Sequence, residues 1–216
     1  MLGRQGAGKS TQCPLLADAL HVVHLSTGDL LRDSVRARTA LGREVARYID
    51  VGELVPDALI VDVVLDRLGR SDVRQRGYVL DGFPRTVGQA EALLHHDPDL
   101  DAVIDLHVPV DVVVERVSGR RACPGCGWVT SVDAAIESVP CGKCDGVAVR
   151  RRDDSAHAIR RRLALYDEET RPVAAWFAAR GLLLEVDGLA ERDEVFARIL
   201  AALQPQLERS AAGRTA

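Results

Sequence analysis

Several things are scarce in this chain of 216 residues. No apolar tract approaches the ~18 residues needed to span a bilayer, which excludes a protein built on membrane helices. Met1-Leu2 runs straight into a glycine-rich loop instead of an apolar signal region, so the cytoplasm is the expected compartment. The formal charge of −4 is the wrong sign for a protein that coats nucleic acid. Lysine is nearly missing: only Lys9 and Lys143 occur, and arginine supplies every other basic residue. A GC-rich coding sequence accounts for that bias in general, yet it leaves a lysine at position 9 as a choice. No internal repeat and no low-complexity linker divides the chain.

The composition that remains, 47% hydrophobic and 28% charged, is that of a globular protein with one sizeable core and room for inserted lobes. Short apolar runs alternate with helical stretches, which predicts a parallel sheet wrapped by helices. The predicted strands are 21–25, 77–80, 102–108 and 182–186, each apolar enough for burial on both faces. Helical patterns cover 15–20, 59–68 and 159–179. Two stretches interrupt the rhythm, a helical insert at 26–55 and a cysteine-bearing insert at 119–154. From Pro205 the apolar period fades, so 205–216 reads as a frayed tail.

Gly3-Arg4-Gln5-Gly6-Ala7-Gly8-Lys9-Ser10 fits G-x-x-x-x-G-K-[ST] at every position. Glycines let backbone N–H groups turn inward around a phosphate, and the following helix presents its positive end to the same anion. Lys9 would then reach the β/γ-phosphates and the Ser10 hydroxyl could ligate Mg²⁺. A plain glycine turn before a helix is the structural alternative. Pro14 fits poorly, since it removes a backbone bond about a turn and a half into that helix.

Cys123-Pro-Gly-Cys126 and Cys141-Gly-Lys-Cys144 have the spacing of a tetrahedral structural Zn²⁺ site, with no position left for catalysis. Free thiols or a redox pair are the alternatives. Cys13 reads as a small buried hydrophobe, and the histidines form no ligand cluster in the sequence.

Four more segments follow the loop in order: Leu25-Ser26-Thr27-Gly28-Asp29-Leu30-Leu31-Arg32, Asp81-Gly82-Phe83-Pro84-Arg85-Thr86, Gly119-Arg120-Arg121 and Arg151-Arg152-Asp153-Asp154. With the loop, they resemble adenylate kinase from Gly3 to about Leu203. The resemblance implies an α/β, P-loop NTPase-type core with a parallel five-stranded sheet, formed by 1–25, 56–118 and 155–204. It makes 26–55 a lobe closing over the monophosphate and 119–154 a zinc-stapled lid closing over ATP. It implies ATP and AMP as substrates, Mg²⁺ carried with ATP, and a monomer with no nucleic-acid or membrane partner.

Residue by residue, the resemblance places Gly6, Ala7, Gly8, Lys9, Ser10, Thr11, Arg116, Arg120 and Ala190 at ATP. It places Thr27, Arg32, the backbone of Glu53, Leu54 and Val55, then Gly82, Phe83, Pro84, Arg85, Gln89, Arg151 and Arg162 at AMP. Lys9, Arg85, Arg120, Arg151 and Arg162 become the charge-neutralising set of the transfer. Asp81 could hold Mg²⁺ through water, or simply cap a turn. Arg36 and Arg198, without motif neighbours, read as solvated. The chain departs from the family's pattern at Arg4-Gln5, where Ala-Pro or Pro-Pro is usual, at Ser10, where glycine is common, and at Thr130, where tyrosine is common. A kinase for UMP, CMP or GMP is the rival enzyme, and a nucleotide-switched zinc-ribbon binding module the rival of another class. Because only two residues precede Gly3, where a P-loop fold carries a central strand, the natural protein is expected to begin a few apolar residues upstream.

Overall fold

A computed structural model describes the backbone of residues 1–51 and 53–213, and their side chains except at residues 50, 152 and 210–213. Glycines 3, 6 and 8 form a turn with positive φ that feeds α1 (Lys9–Leu20). The chain returns as β1 (Val23–Ser26) and enters a helical pair, α2 (Thr27–Arg36) and α3 (Ala40–Val51). Ser26 caps α2 by accepting from the Asp29 backbone N–H at 3.2 Å, the role a serine oxygen suits. Next come α4 (Asp57–Leu68), α5 (Ser71–Arg76), β2 (Tyr78–Asp81), α6 (Val87–His96), β3 (Val103–His107) and α7 (Val110–Ser118). Thr86 caps α6 in the same way.

Short strands β4 (Arg120–Ala122), β5 (Val129–Ser131), β6 (Ser138–Pro140) and β7 (Val147–Val149) then build an antiparallel sheet in the order β5-β4-β7-β6. After it run α8 (Ala156–Leu165), α9 (Arg171–Ala178), β8 (Leu183–Asp187) and α10 (Arg192–Gly213).

The predicted parallel strands form, each within two residues of its expected bounds, as two ladders. β1 pairs with β2, Val23 opposite Tyr78 through Ser26 opposite Asp81, and β3 pairs with β8, Val103 opposite Leu183 through His107 opposite Asp187. Met1 and Leu2 lie between them: the Met1 amino group donates to Leu80 O at 2.7 Å, while Leu2 N donates to Ile104 O at 2.6 Å and Leu106 N to Leu2 O at 3.1 Å. The described residues therefore give four parallel strands joined by a two-residue bridge, where five strands were expected.

Three apolar clusters pack against this sheet, one of them joining Leu25 of β1 and Leu80 of β2 to Val64 of α4 and to Phe83. Cys13, Leu16, Ile104, Leu106, Val113, Val195 and Ile199 pack together from α1, β3, α7 and α10, while Leu2, Ala90, Val103, Val173 and Phe177 pack from α6, β3 and α9. The result leaves the C-terminal ends of β1 and β2 opening into one crevice, where α/β sheets bind ligands.

Two expectations need correction. The stretch 159–179 is not one regular helix, because a π-helical turn at Tyr166–Thr170 separates α8 from α9. The frayed tail is also wrong over most of its length: α10 continues through Pro205 to Gly213. Its stripe Val195, Ile199 and Leu203 is buried on the core, and the turns beyond extend a helix already nucleated there. Residues 214–216 of that tail, and Gly52 of the expected insert, lie outside the described residues. Pro14 sits inside α1 without ending it.

Candidate active site

At Gly3, a Cβ would stand 2.7 Å from Leu106 O, and at Gly6 one would stand 2.6 Å from the Val117 side chain. Only glycine lets the loop lie this close to β3 and α7 with its N–H groups free to face an anion. Gly8 is the N-cap of α1, and Ser10 and Thr11 are exposed in the first turn. The Lys9 ammonium donates to Gly3 O at 2.6 Å and Arg4 O at 2.9 Å, folding back over the loop. Burial pulls its pKa below the usual lysine value, and Arg85 and Arg120 push the same way against the opposing charge of Asp81.

Guanidinium groups converge on this loop from several elements. Arg85 donates from Nε to Gly82 O at 2.7 Å; burial, then repulsion from Arg162, brings its pKa down to about 10. Arg151 is likewise brought down to about 10, by burial and then by Arg32 and Arg120. Such a cluster is unfavourable by itself and favourable to any polyanion placed within it.

Carboxylates balance part of the charge. Asp154, whose side chain is 0% exposed, accepts from Arg120 Nε at 2.8 Å and also from Nη2. Desolvation works against the Arg120 charge, but Asp154 outweighs it and raises the pKa. Asp153 pairs with Arg162 at 2.7 Å, and Asp29 with Arg32. Sequence reasoning quoted these aspartates within motifs and gave them no role, since a counter-ion's partner is set by the fold and not by spacing.

Beside the loop lies a cleft lined by Thr27, Arg32, Glu53, Leu54, Val55, Gly82, Phe83, Arg85, Gln89 and Arg162, together with Gly28, Leu31, Ile49 and Ile60. Of the residues expected at AMP, all but Pro84 and Arg151 line it. Thr27 is buried and donates from Oγ1 to Asp81 O at 3.1 Å. The Gln89 amide is oriented at both ends, its Oε1 accepting from Arg85 N at 2.8 Å and its Nε2 donating to Asp57 Oδ1 at 2.6 Å. Asp57 escaped the sequence reading; its place at the start of α4, before an apolar run, was the one available signal. On the other side of the loop, both Arg116 Nη atoms reach Gly188 O at 3.5 Å, and Ala190 packs on the core just beyond.

Asp81 ends β2, 7% exposed. One ligand atom from each of Asp81, Cys13 and His24 lies within 4.8 Å of the others, so the fold assembles a histidine contact that spacing gave no sign of. Cys13 is 0% exposed, and burial pushes its thiol up to about 12, in keeping with an inert packing role.

The four paired cysteines meet as their spacing predicted. Cys123 Sγ lies 3.7 Å from Cys144 Sγ, Cys126 Sγ lies 3.4 Å from Cys141 Sγ, and all four sulfurs fall within 4.8 Å of one another. Backbone N–H groups of Cys126 and Gly125 pull the Cys123 thiol down. Those of Trp128 and Gly146 act likewise on Cys126 and Cys144 but are outweighed there by the neighbouring sulfurs, which raise both thiols. Lys143 N donates to Cys141 Sγ at 3.3 Å. Those donors favour thiolates, so the residues fit a tetrahedral zinc ion. Arg36, expected to be merely solvated, donates to Pro124 O in this unit and so joins α2 to it.

A loop of this shape at a helix N-terminus, facing converging guanidinium groups, defines a P-loop phosphotransferase site. The family model described as "Adenylate kinase" matches residues 1–182. The chain is similar to an adenylate kinase of Lachnospira eligens, 41% identical over 93% of this chain and 96% of that one. Similar too are adenylate kinases of Methanocella arvoryzae, at 42% over 94% and 97%, and Acidothermus cellulolyticus, at 43% over 94% and 96%. The chain belongs to the adenylate kinase family.

Proposed function

We propose that the chain catalyses the reversible transfer of a phosphoryl group from ATP to AMP, giving two ADP. The observation that carries this reading is the cleft of Thr27, Arg85 and Gln89 opening beside the phosphate loop. Phosphoryl transfer needs in-line positioning and charge neutralisation more than covalent chemistry. Gly6, Ala7, Gly8, Ser10 and Thr11 cradle the ATP phosphates with Lys9 and Arg120, and Arg116 with the turn at Ala190 flanks the ATP base. Arg32, Arg85, Arg151 and Arg162 hold the AMP phosphate in paired contacts suited to guanidinium. Gln89, with one N–H and one lone pair still free after its bonds to Asp57 and Arg85, matches the acceptor N1 and amino N6 of adenine.

Asp81 would hold the hydrated Mg²⁺ that accompanies ATP and offsets its phosphate charge. The four cysteines would hold one structural Zn²⁺. Residues 26–55 act as the lobe over AMP and 119–154 as the lid over ATP, on a core of 1–25, 56–118 and 155–204. The enzyme acts as a cytoplasmic monomer. A coupled assay with ATP and each of AMP, CMP, UMP and GMP tests the reading. AMP is expected to be best by at least ~10-fold in kcat/KM, which asks for about 1.4 kcal/mol of differential transition-state binding. Equal or faster turnover of CMP or UMP refutes it.

A further inference from the structure

Arg4 and Gln5 stand where the resembled pattern has Ala-Pro or Pro-Pro, and their side chains do not line the phosphate cradle. Both reach instead to segments that follow the cysteine unit. Arg4 Nη2 pairs with Asp167 Oδ1 at 2.6 Å, and its guanidinium lies 5.0 Å from the Tyr166 ring centroid. Gln5 Nε2 donates to Asp154 Oδ1 at 2.9 Å. That oxygen is the one Arg120 Nη2 also uses, while Arg120 Nε takes Asp154 Oδ2. Among the described residues, the Gln5 amide makes the only side-chain hydrogen bond between the loop and this buried pair. The Gln5 Oε1 atom is itself buried without a partner, so the donor end alone orients the amide.

We propose that Gln5 is a positioning residue for the ATP side of the site. It anchors Asp154 to the phosphate loop and, through Asp154, fixes where the Arg120 guanidinium stands over the ATP phosphates. The role of Arg120 in this statement rests on the function proposed above. A carboxylate gripped by two donors of a guanidinium makes a stiff pair, and this one ties β4, which carries Arg120, to the 3-10 turn Arg152–Asp154, which carries Asp154. The pair is balanced in charge with or without Gln5. What Gln5 adds is register, because a proline or alanine at position 5 has no side-chain donor with which to hold the pair against the loop. Removing the amide therefore leaves Arg120 charged and paired but no longer placed, an error that geometry-dependent transfer does not tolerate.

Four variants test this: Gln5→Ala; Gln5→Glu, equal in size but without the N–H; Arg120→Ala; and the double variant Gln5→Ala/Arg120→Ala. The readouts are the dissociation constant of MgATP by calorimetry and the separate KM values for ATP and AMP. Losing one hydrogen bond to a charged group predicts a rise of ~10-fold in Kd and KM for ATP with Gln5→Ala. The KM for AMP should stay within about twofold of wild type, and Gln5→Glu, which sets a second carboxylate against Asp154, should do worse than alanine. In the Arg120→Ala background, Gln5→Ala should add no more than about twofold, the mark of residues acting as one unit. The proposal is overturned if ATP binding is unchanged, if both nucleotides weaken equally, or if the two losses multiply. Formation of ADP by the wild type from ATP and AMP tests the function itself, and the calorimetric arm reads Gln5 whichever monophosphate is the acceptor.

Discussion

Arg121 offers the sharpest test of how the cysteine-bearing unit is held together. Its side chain is 0% exposed, and among the described residues its hydrogen-bond partners are all backbone carbonyls: Ile136 O at 2.7 Å from Nε, Ser118 O at 3.1 Å and Arg120 O at 2.8 Å from Nη1, and Ala134 O at 3.0 Å from Nη2. One guanidinium therefore ties the 132–137 turn to β4 and to the end of α7, in a unit with few other buried side chains. In Arg121→Ala, four carbonyl oxygens lose that donor. Ala134 O keeps the Arg150 Nη2 donor at 2.9 Å, so three acceptors are left without that partner, and at about 1 kcal/mol each the cost is ~3 kcal/mol. Spread over the whole chain that would lower Tm by ~6–12 °C, but the cysteine-bearing unit is small with its own contacts, so the loss should fall there first. An opening equilibrium shifted by ~3 kcal/mol corresponds to about two decades in amide exchange. Hydrogen–deuterium exchange on the zinc-loaded protein reads this directly, with the amides of β4 and β5 as reporters and those of β3 as the internal control. If exchange in β4 and β5 stays within about threefold of wild type, the assignment of Arg121 as the unit's internal tie is wrong.

Arg85→Ala should lower kcat/KM by ~10²–10³ with little change in Tm, because its main-chain bond to Gly82 lies at the cleft and removing it relieves repulsion from Arg162; retention of more than about a tenth of wild-type activity would remove it from the transfer machinery. Metal analysis of protein purified without added zinc should find one Zn²⁺ per chain, and Cys123→Ser or Cys144→Ser should lower stability before it affects chemistry; metal-free protein with four titratable lid thiols rules the site out. Burial works to raise the Asp153 pKa, but Arg162 wins and holds it below the usual carboxylate value. Its contribution to stability is thus present above ~pH 4 and lost as pH falls through the lower folded-state value. Asp153→Asn should flatten the acid limb of the stability curve below ~pH 4, and an unaltered limb would show that the pair contributes nothing.

What was legible in the sequence was what is local in the chain. The phosphate loop is eight consecutive residues whose backbone geometry their own types dictate, and the cysteine pairs carry their ligand spacing within themselves. Short apolar runs mark strands, which is why β1, β2, β3 and β8 were found within two residues. Burial on both faces does not hold for β8, which leaves Glu185 and Asp187 exposed. The missed features depend on distant partners or on a change of helical period. Asp154 becomes a buried counter-ion only because Arg120 and Gln5 come to it from 34 and 149 residues away. His24 meets Cys13 and Asp81 across three elements. A π turn between two good helices leaves no mark on a search for period 3.6, and Pro205 looked like a terminator because sequence alone does not show that the helix before it is pinned to the core. Gln5 was visible as a departure from a pattern, but only coordinates gave that departure a partner.

Lys9 and Lys143 are the only two side-chain amines in the chain, and the structure puts each in a working part. Lys143 is exposed between Cys141 and Cys144; Lys9 bends over the phosphate loop with a depressed pKa, so more of it is the neutral, nucleophilic amine than an ordinary lysine would be. A protein of this size commonly scatters a dozen or more lysines over its surface, where acylation goes unnoticed. Here every acyl group that reacts with a side-chain amine lands either beside the paired cysteines or on the phosphate loop, where it removes the Lys9 charge. Acylation of Lys9, located by peptide mass mapping, should therefore track the activity lost, while acylation of Lys143 should not.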